Sequence, residues 1–244
     1  MGFIDIHAHI LPELDDGAQS MEESIAMVRA AAESGVEAMI ATPHSNLTGL
    51  YENYRSGALT DALEALRQRV RAEQLPVEIL SGMEIYATED LPALLRQNRF
   101  LTLHSSRYLL LEFDFHESPV WCTQLLEQVC DLGYIPIIAH PERYYAVWKE
   151  PWCVYPWLDM GCHLQLTRGS ILGRFGREPL RASAFLLQHN LVACVASDAH
   201  GSRRRTPVLR DVHAFLTDQF SADYADMLLI DNPKKICGDQ PLIE

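Results

Sequence analysis

Lysine is scarce in this 244-residue chain: Lys149, Lys234 and Lys235 are its only three, among 20 basic residues. None of them ends a run that reads as a strand. A carbamylated lysine bridging a dinuclear centre is therefore excluded, and any bridging role falls to a glutamate. Long apolar runs are also lacking, so none approaches the roughly 20 residues of a membrane span. The six cysteines, Cys122, Cys130, Cys153, Cys162, Cys194 and Cys237, show no C-x-x-C spacing. We read them as reduced thiols of a cytoplasmic protein, without a disulfide framework. Positive charge is in deficit, 20 Lys+Arg against 33 Asp+Glu for a net −13. A surface of that sign repels phosphate backbones and argues against a nucleic-acid partner. The opening residues Met1–Ile6 enter a strand pattern at once, so no secretory signal is expected.

What is present is regular. Seven short apolar, β-branched or aromatic runs recur along the chain: Phe3–His9, Val36–Thr42, Val77–Glu84, Tyr108–Phe113, Tyr134–His140, His163–Thr167 and Leu191–Ser197. Helix-period stretches separate them: Met21–Ser34, Ala58–Ala72, Val120–Leu132, Pro179–His189 and Val208–Phe220. The first has a capping box at its start, Ser20 with Glu23 three residues on. Strand–helix alternation at this period predicts βαβ crossovers and a parallel sheet. Seven such units closing on themselves give a barrel close in size to the eightfold one. No linker or composition break divides the chain, so one domain spanning 1–244 is expected. The tail Leu228–Glu244, broken at Asn232-Pro233, should pack as a short cap. The aromatic stretch Tyr144–Trp157 suits either a satellite core or a wall of a substrate cleft.

The chemistry lies at the ends of the runs. His7 and His9 flank Ala8, and residues two apart on a strand point the same way, roughly 6.6–7 Å apart along the chain. Two imidazoles so placed can reach one metal ion. Asp5 shares their parity and is expected to orient a ligand imidazole from behind. The pattern then repeats: His44, Glu84, Glu112, His140 and the pair Asp198 and His200 close or follow later runs. Six of the seven runs thus finish on a His, Asp or Glu. In a parallel barrel those ends share one face, where active sites form. Taken singly, each is readable as a satisfied core histidine or a helix-capping acid. Taken together they would crowd buried ionisable groups without compensation, which is costly unless cations neutralise them. Asp16, in the Asp15-Asp16-Gly17 turn, adds a loop carboxylate.

Five histidines and four carboxylates are too many ligands for one ion, and their mixture without thiolate suits Mn, Fe or Zn. Four carboxylates against three divalent ions leave the site locally positive, and Arg143 and one of Arg203, Arg204 and Arg205 stand close by. Such a pocket suits a dianion such as a phosphate monoester. A rival device, the C-x5-R spacing of cysteine-dependent phosphatases, occurs at Cys162–Arg168. Its interior alternates like a strand and holds no glycine to let a phosphate loop curl, so it is rejected.

In order and spacing, His7-x-His9, Asp16, His44, Glu84, Glu112, His140 and Asp198-x-His200 resemble the polymerase-and-histidinol-phosphatase (PHP) superfamily. The pieces Ile4–Ile10, Asp15-Asp16-Gly17, Gly82–Ile85, Leu111-Glu112-Phe113, His140–Arg143, Ser197–His200 and Ile230–Pro233 look like one branch of it. That branch is the bacterial manganese-dependent protein-tyrosine phosphatases of capsule and exopolysaccharide loci. The resemblance implies an α/β fold, a distorted seven-stranded (β/α)7 TIM-like barrel, with three divalent ions, Mn²⁺ foremost. It implies a first ion on His7, His9, Glu84 and Asp198, a second on Glu84, Glu112 and His140, and a third on Asp16, His44 and His200. Arg143 and Arg205 match the family's phosphate-binding arginines, while Ser45–Ser56 has no counterpart in the pattern. The expected reaction is hydrolysis of phosphotyrosine by a metal-activated hydroxide, on a partner such as the tail of an autophosphorylated bacterial tyrosine kinase. The alternatives are a small-molecule phosphatase such as histidinol-phosphate phosphatase, and a non-catalytic metal-binding module.

Overall fold

The computed structural model describes residues 2–243; Met1 and Glu244, which the one-domain and tail expectations include, lie outside the described residues. β1 (Phe3–Ala8) is followed by α1 (Met21–Glu33), β2 (Val36–Ala41) and the short β3 (His44–Ser45). Next come α2 (Gly57–Ala72), β4 (Glu78–Ser81), β5 (Glu84–Tyr86), α3 (Leu91–Arg96), β6 (Tyr108–Glu112) and α4 (Pro119–Asp131). β7 (Ile135–Ala139), α5 (Tyr145–Lys149), α6 (Tyr155–Asp159), β8 (His163–Thr167) and α7 (Arg168–Ile171) lead to α8 (Arg177–Gln188) and β9 (Cys194–Ala196). α9 (Arg210–Gln219), α10 (Ala222–Asp226) and α11 (Asn232–Cys237) close the chain.

The expected helices form within one or two residues of their sequence limits. At the start of α1, Ser20 Oγ accepts from Glu23 N at 3.2 Å, as a cap should. The reciprocal half differs: Glu23 Oε2 accepts from the N–H of Gln19, one residue before the cap. Ile25, Val28 and Ala31 then line the buried side of that helix at helical spacing.

All strand pairings among the described residues are parallel. One sheet has the order β1-β2-β4 and the other β3-β5-β6-β7-β8-β9. The seven expected runs appear as nine strands because the second and third are each interrupted. Pro43 follows Thr42 and brings no N–H to the ladder, so β2 stops and His44 restarts as β3. In the third run, a Cβ on Gly82 would lie 2.7 Å from Ile40 Cγ2 and 3.0 Å from Leu103 Cδ2, so only glycine fits between β4 and β5. These two breaks shift His44 and Glu84 out of the first sheet and into register with each other in the second. A parallel bridge, Ala8 to Ala199, links the end of β1 to the segment beyond β9. Hydrogen bonds Asp198 N to His7 O and His9 N to Ala199 O, both 2.9 Å, flank it.

The apolar residues fall into two groups. One lies between strands and helices and includes Met27, Met39, Leu66, Leu109, Leu111 and Leu164. The other gathers Ile6, Ile40, Leu80, Leu110, Ile137 and Cys194 from successive strands, with Ile236 of α11 packed among them. Ile236 is how the tail caps the molecule, as expected. Asn232, fully buried, fastens it by donating to Ala193 O and Ile243 O and accepting from Ile243 N. The Tyr144–Trp157 stretch divides: Tyr144, Val147, Val154 and Trp157 are buried and join the core between strands and helices, while Tyr145, Trp152 and Tyr155 stay exposed. Trp157 Nε1 donates to Thr123 Oγ1, and Tyr144 OH donates to Ala139 O while accepting from Phe113 N. No helix among the described residues is long and apolar enough to cross a membrane.

Candidate metal centre

Beyond the last apolar layer, the carboxyl ends of the strands bring all nine sequence-predicted ligands together. His7, His9, Glu84, His140 and Asp198 are buried, His44, Glu112 and His200 half-buried, and Asp16 exposed at the lip. Glu84 is the hub. Its Oε2 lies 3.2 Å from His7 Nε2, 3.1 Å from His9 Nε2 and 3.0 Å from His44 Nδ1, while Oε1 lies 2.9 Å from His140 Nε2. Asp198 Oδ1 stands 3.6 and 3.7 Å from the same two imidazole nitrogens of His7 and His9. Glu112 approaches His140 and His44 at 3.6 and 3.7 Å. Asp16 Oδ1 is 3.4 Å from both His44 Nε2 and His200 Nε2.

Ligand-type atoms within 4.8 Å of one another form four overlapping sets. They are His9, Asp16, His44 and His200; His7, Glu84 and His140; His7, His9 and Asp198; and His44, Glu84 and Glu112. The sets share His7, His9, His44 and Glu84, which is the arrangement of a multinuclear site with bridging ligands.

The outer nitrogens of three imidazoles are held by acceptors. His9 Nδ1 lies 2.7 Å from Asp15 Oδ2, His7 Nδ1 2.9 Å from Gln165 Oε1, and His200 Nδ1 3.1 Å from Asp198 O. An Nδ1–H donated outward leaves the Nε2 lone pair facing the cluster, the tautomer a metal needs. Buried His200 Nε2 and Glu84 Oε2 have no hydrogen-bond partner. A carboxylate oxygen ringed by three imidazole nitrogens, none in hydrogen-bond geometry, is costly unless a cation sits among them. The residues present therefore fit divalent ions.

Proton affinities mark the same crowding. Burial pulls His7 down, but Glu84 and Asp198 outweigh it and hold the imidazole at about 9. His44 is held up at about 10 against burial, chiefly by Glu84. Burial and the neighbouring Glu84 charge push Glu112 up to about 8, and burial drives His140 down to about 4. Protons on imidazoles meet the excess negative charge here, and divalent cations take over that role on binding.

Sequence reasoning misassigned the residue behind the ligands. Asp5 does not reach an imidazole; it accepts from Ser197 N, Ser197 Oγ and the backbone of His7, tying β1 to the end of β9. The orienting groups are Asp15 and Gln165. Asp15 was visible beside Asp16, and its second oxygen accepts from Gly17 N. Gln165 sits on β8, the one run without a terminal His or acid, and a fully buried amide on a core strand was the available signal. Glu142 was also overlooked: it accepts from Thr167 N and Oγ1 at 2.9 and 3.0 Å and anchors the turn after β7 to β8.

Arg143 and Arg205 both reach the cluster, and both donate to Asp198 Oδ2, at 3.3 and 2.7 Å. Of the arginine triplet, Arg203 and Arg204 are exposed and only Arg205 turns inward. His140, Asp198 and Arg205 all have positive φ, 34°, 50° and 48°, backbone strain collected at one place. Beside the cluster a groove of about 420 Å³ is lined by Asp16, His44, Tyr51, Tyr86, Glu112 and Phe115. The Ser45–Ser56 segment supplies Tyr51, whose ring stacks on His44 at 5.5 Å. The rejected C-x5-R reading meets no support: β8 occupies the residues between Cys162 and Arg168, and Arg168 is paired to Asp211.

The chain is 37% identical over 225 residues to the tyrosine-protein phosphatase YwqE of Bacillus subtilis, covering 92% of this chain and 88% of that one. It is 32% identical over 242 residues to the tyrosine-protein phosphatase CpsB of Streptococcus pneumoniae, covering 97% and 99%. A solved structure from work on those two proteins, described as unique metal-dependent tyrosine phosphatases, superposes with a TM-score of 0.92 at 36% identity, over 98% of this chain and 96% of that one. An organophosphorus hydrolase shares the fold alone, with a TM-score of 0.63 at 12% identity, over 97% and 93%. The model of the family described as "Capsular polysaccharide synthesis, CpsB/CapC" matches residues 3–238, and the chain belongs to that family.

Proposed function

We propose that this chain is a metal-dependent protein-tyrosine phosphatase, active at the centre built on Glu84. The observation that carries the reading is the Glu84 carboxylate, with three imidazole nitrogens within 3.0–3.2 Å of one unpartnered oxygen and two arginines beside it. The printed names of the relatives support the phosphotyrosine substrate. The two sheets, joined by the Ala8–Ala199 bridge, read as a distorted seven-stranded barrel in a single domain. On this reading His7, His9, Glu84 and Asp198 hold one ion, Glu84, Glu112 and His140 a second, and Asp16, His44 and His200 a third, with Mn²⁺ the preferred metal. We also read the chain as cytoplasmic, since all six cysteines are free thiols. Its partner would be the tyrosine-bearing tail of an autophosphorylated bacterial kinase.

When bound, the ions supply Lewis-acid stabilisation and lower the pKa of coordinated water toward neutrality. The protein's part is positioning. Asp15, Gln165 and the Asp198 carbonyl fix three imidazoles in the ligating tautomer. Arg143 and Arg205, already converging on one carboxylate oxygen, are placed to pair with the equatorial oxygens of a phosphoryl dianion. The tyrosine leaving group has a pKa of about 10, so its departure depends less on a general acid than that of an alkyl ester. The groove past Tyr51, Tyr86 and Phe115 offers aromatic walls to the ring.

Elemental analysis joined to turnover on a phosphotyrosine peptide tests this directly. Exhaustive chelation should abolish turnover, Mn²⁺ should restore it, and thiol alkylation should leave it intact. Hydrolysis that survives complete metal removal would defeat the proposal. Faster turnover of histidinol phosphate than of the peptide would overturn the substrate assignment alone.

A further inference from the structure

Phe175 lies in the turn between α7 and α8, outside every motif that marks the centre, yet it meets both of the site's arginines. The Arg143 guanidinium lies over its ring at 4.9 Å from the centroid, and that of Arg205 at 5.8 Å. On its other contact, Arg143 lies over Phe115 at 4.6 Å. The chain makes room for this placement. A Cβ on Gly169, at the start of α7, would fall 2.4 Å from Phe175 Cε2, so the ring sits where any side chain at position 169 would displace it. The ring is half-buried while its neighbours Arg174 and Gly176 are exposed. A phenylalanine turned inward in an otherwise solvated turn, against two cations, is not explained by core packing.

We propose that Phe175 is a positioning residue for phosphoryl recognition, its ring bracing Arg143 and Arg205 side by side so that both converge on one dianion. This rests on the phosphatase reading above. Two guanidinium groups reaching the same Asp198 oxygen repel each other. An aromatic face presents negative quadrupole to both and offsets part of that repulsion. It also takes water from one side of each guanidinium, which strengthens the hydrogen bonds on the other. Without the ring, the long side chains regain rotamers that lead them away from the site, and ordering them again weakens binding of the anion.

The test measures inorganic phosphate binding by calorimetry to the Mn²⁺-loaded protein, alongside KM and kcat on a phosphotyrosine peptide. Phe175→Leu keeps bulk but loses the ring; Phe175→Tyr keeps the ring face. Phe175→Leu should bind phosphate about five- to thirtyfold more weakly and raise KM similarly, with kcat changing much less. Phe175→Tyr should stay near the parent in both. Equal phosphate affinity in Phe175→Leu and the parent overturns the proposal, as does a Phe175→Tyr variant as weak as Phe175→Leu, since bulk alone would then explain the effect. Should Phe175→Leu not fold, Phe175→Met carries the same comparison. A parent protein without turnover would sink the phosphatase reading, and the phosphate affinities would still decide the role of Phe175.

Discussion

The two ends of the strand assembly use the same backbone for opposite purposes. At the carboxyl ends, β1, β2, β4, β6 and β7 hand over to His7, His9, His44, Glu84, Glu112 and His140, and four imidazoles stand within 3.2 Å of the one Glu84 carboxylate. Toward the amino ends, successive strands present Ile6, Ile40, Leu80, Leu110 and Ile137, sealed by Ile236 from the tail. A cavity of about 540 Å³ also opens at that end, between the starts of β8 and β9, lined by residues such as Leu158, Val192 and Met227. None of the nine ligand candidates lines it. The apolar end is stable through burial and needs no ligand. The polar end holds unpartnered buried atoms and strained backbone, which costs stability in the metal-free protein and is offset only when cations arrive.

The largest effect should come from cutting into the polar end. His7→Ala or Asp198→Ala should lower kcat on a phosphotyrosine peptide by about a thousandfold or more. Thermal unfolding in the presence of chelator should leave the melting temperature unchanged or raised, because each variant relieves crowding. A near-parental rate from either pure variant would break the distinction between the two ends.

Ile236→Ala should show the reverse. The side chain is fully buried among residues of several strands, and its truncation should cost about 2–4 kcal/mol of unfolding free energy. Turnover by the folded fraction should be preserved, as read in denaturant titrations paired with kinetics below the transition. A parallel loss of kcat would mean that the plug also shapes the site.

Gly82→Ala probes the seam between the ends. The added methyl must push aside Ile40 and Leu103, an overpacking cost of about 1–3 kcal/mol. Because Gly82 lies two residues before Glu84, the same push should displace the hub carboxylate and reduce metal stoichiometry. Lost stability with unchanged metal content would show that the seam isolates the two ends.

How much of this was legible in the sequence follows the same division. Strand ends marked by His, Asp or Glu were readable because uncompensated charge on a core strand has few explanations, and all nine do converge. The alternation of runs and helices gave the parallel α/β order. The breaks at Pro43 and Gly82 were not readable as breaks, since continuous apolar character hides where a ladder changes partner. Asp5 was misassigned because parity on an ideal strand ignores the register shift between Asp5 and Ala8. Gln165 and Phe175 were silent for another reason: each acts through a partner far away in the chain, and no local period marks that.

The smallest effect lies outside both ends, and it calibrates the comparison. Arg168 is buried and holds Asp211 through Nε–Oδ1 and Nη2–Oδ2 contacts of 2.6 and 2.5 Å, joining the end of β8 to α9. Burial alone would raise the Asp211 carboxyl, but the Arg168 hydrogen bonds outweigh it and hold the group below its ordinary 3.8. A carboxylate with a depressed folded pKa stabilises the fold at pH values above its unfolded pKa. That stabilisation fades as pH falls through the lower folded value. Asp211→Asn should therefore lose about 1 kcal/mol relative to the parent at pH 7, with the gap closing below about pH 4. Urea unfolding of both proteins at the two pH values measures it, with chelator present so that the metal centre does not contribute. A gap that widens on acidification would mean that Asp211 acts through packing rather than charge, and the pair could no longer stand as a reference for ionic interactions away from the site.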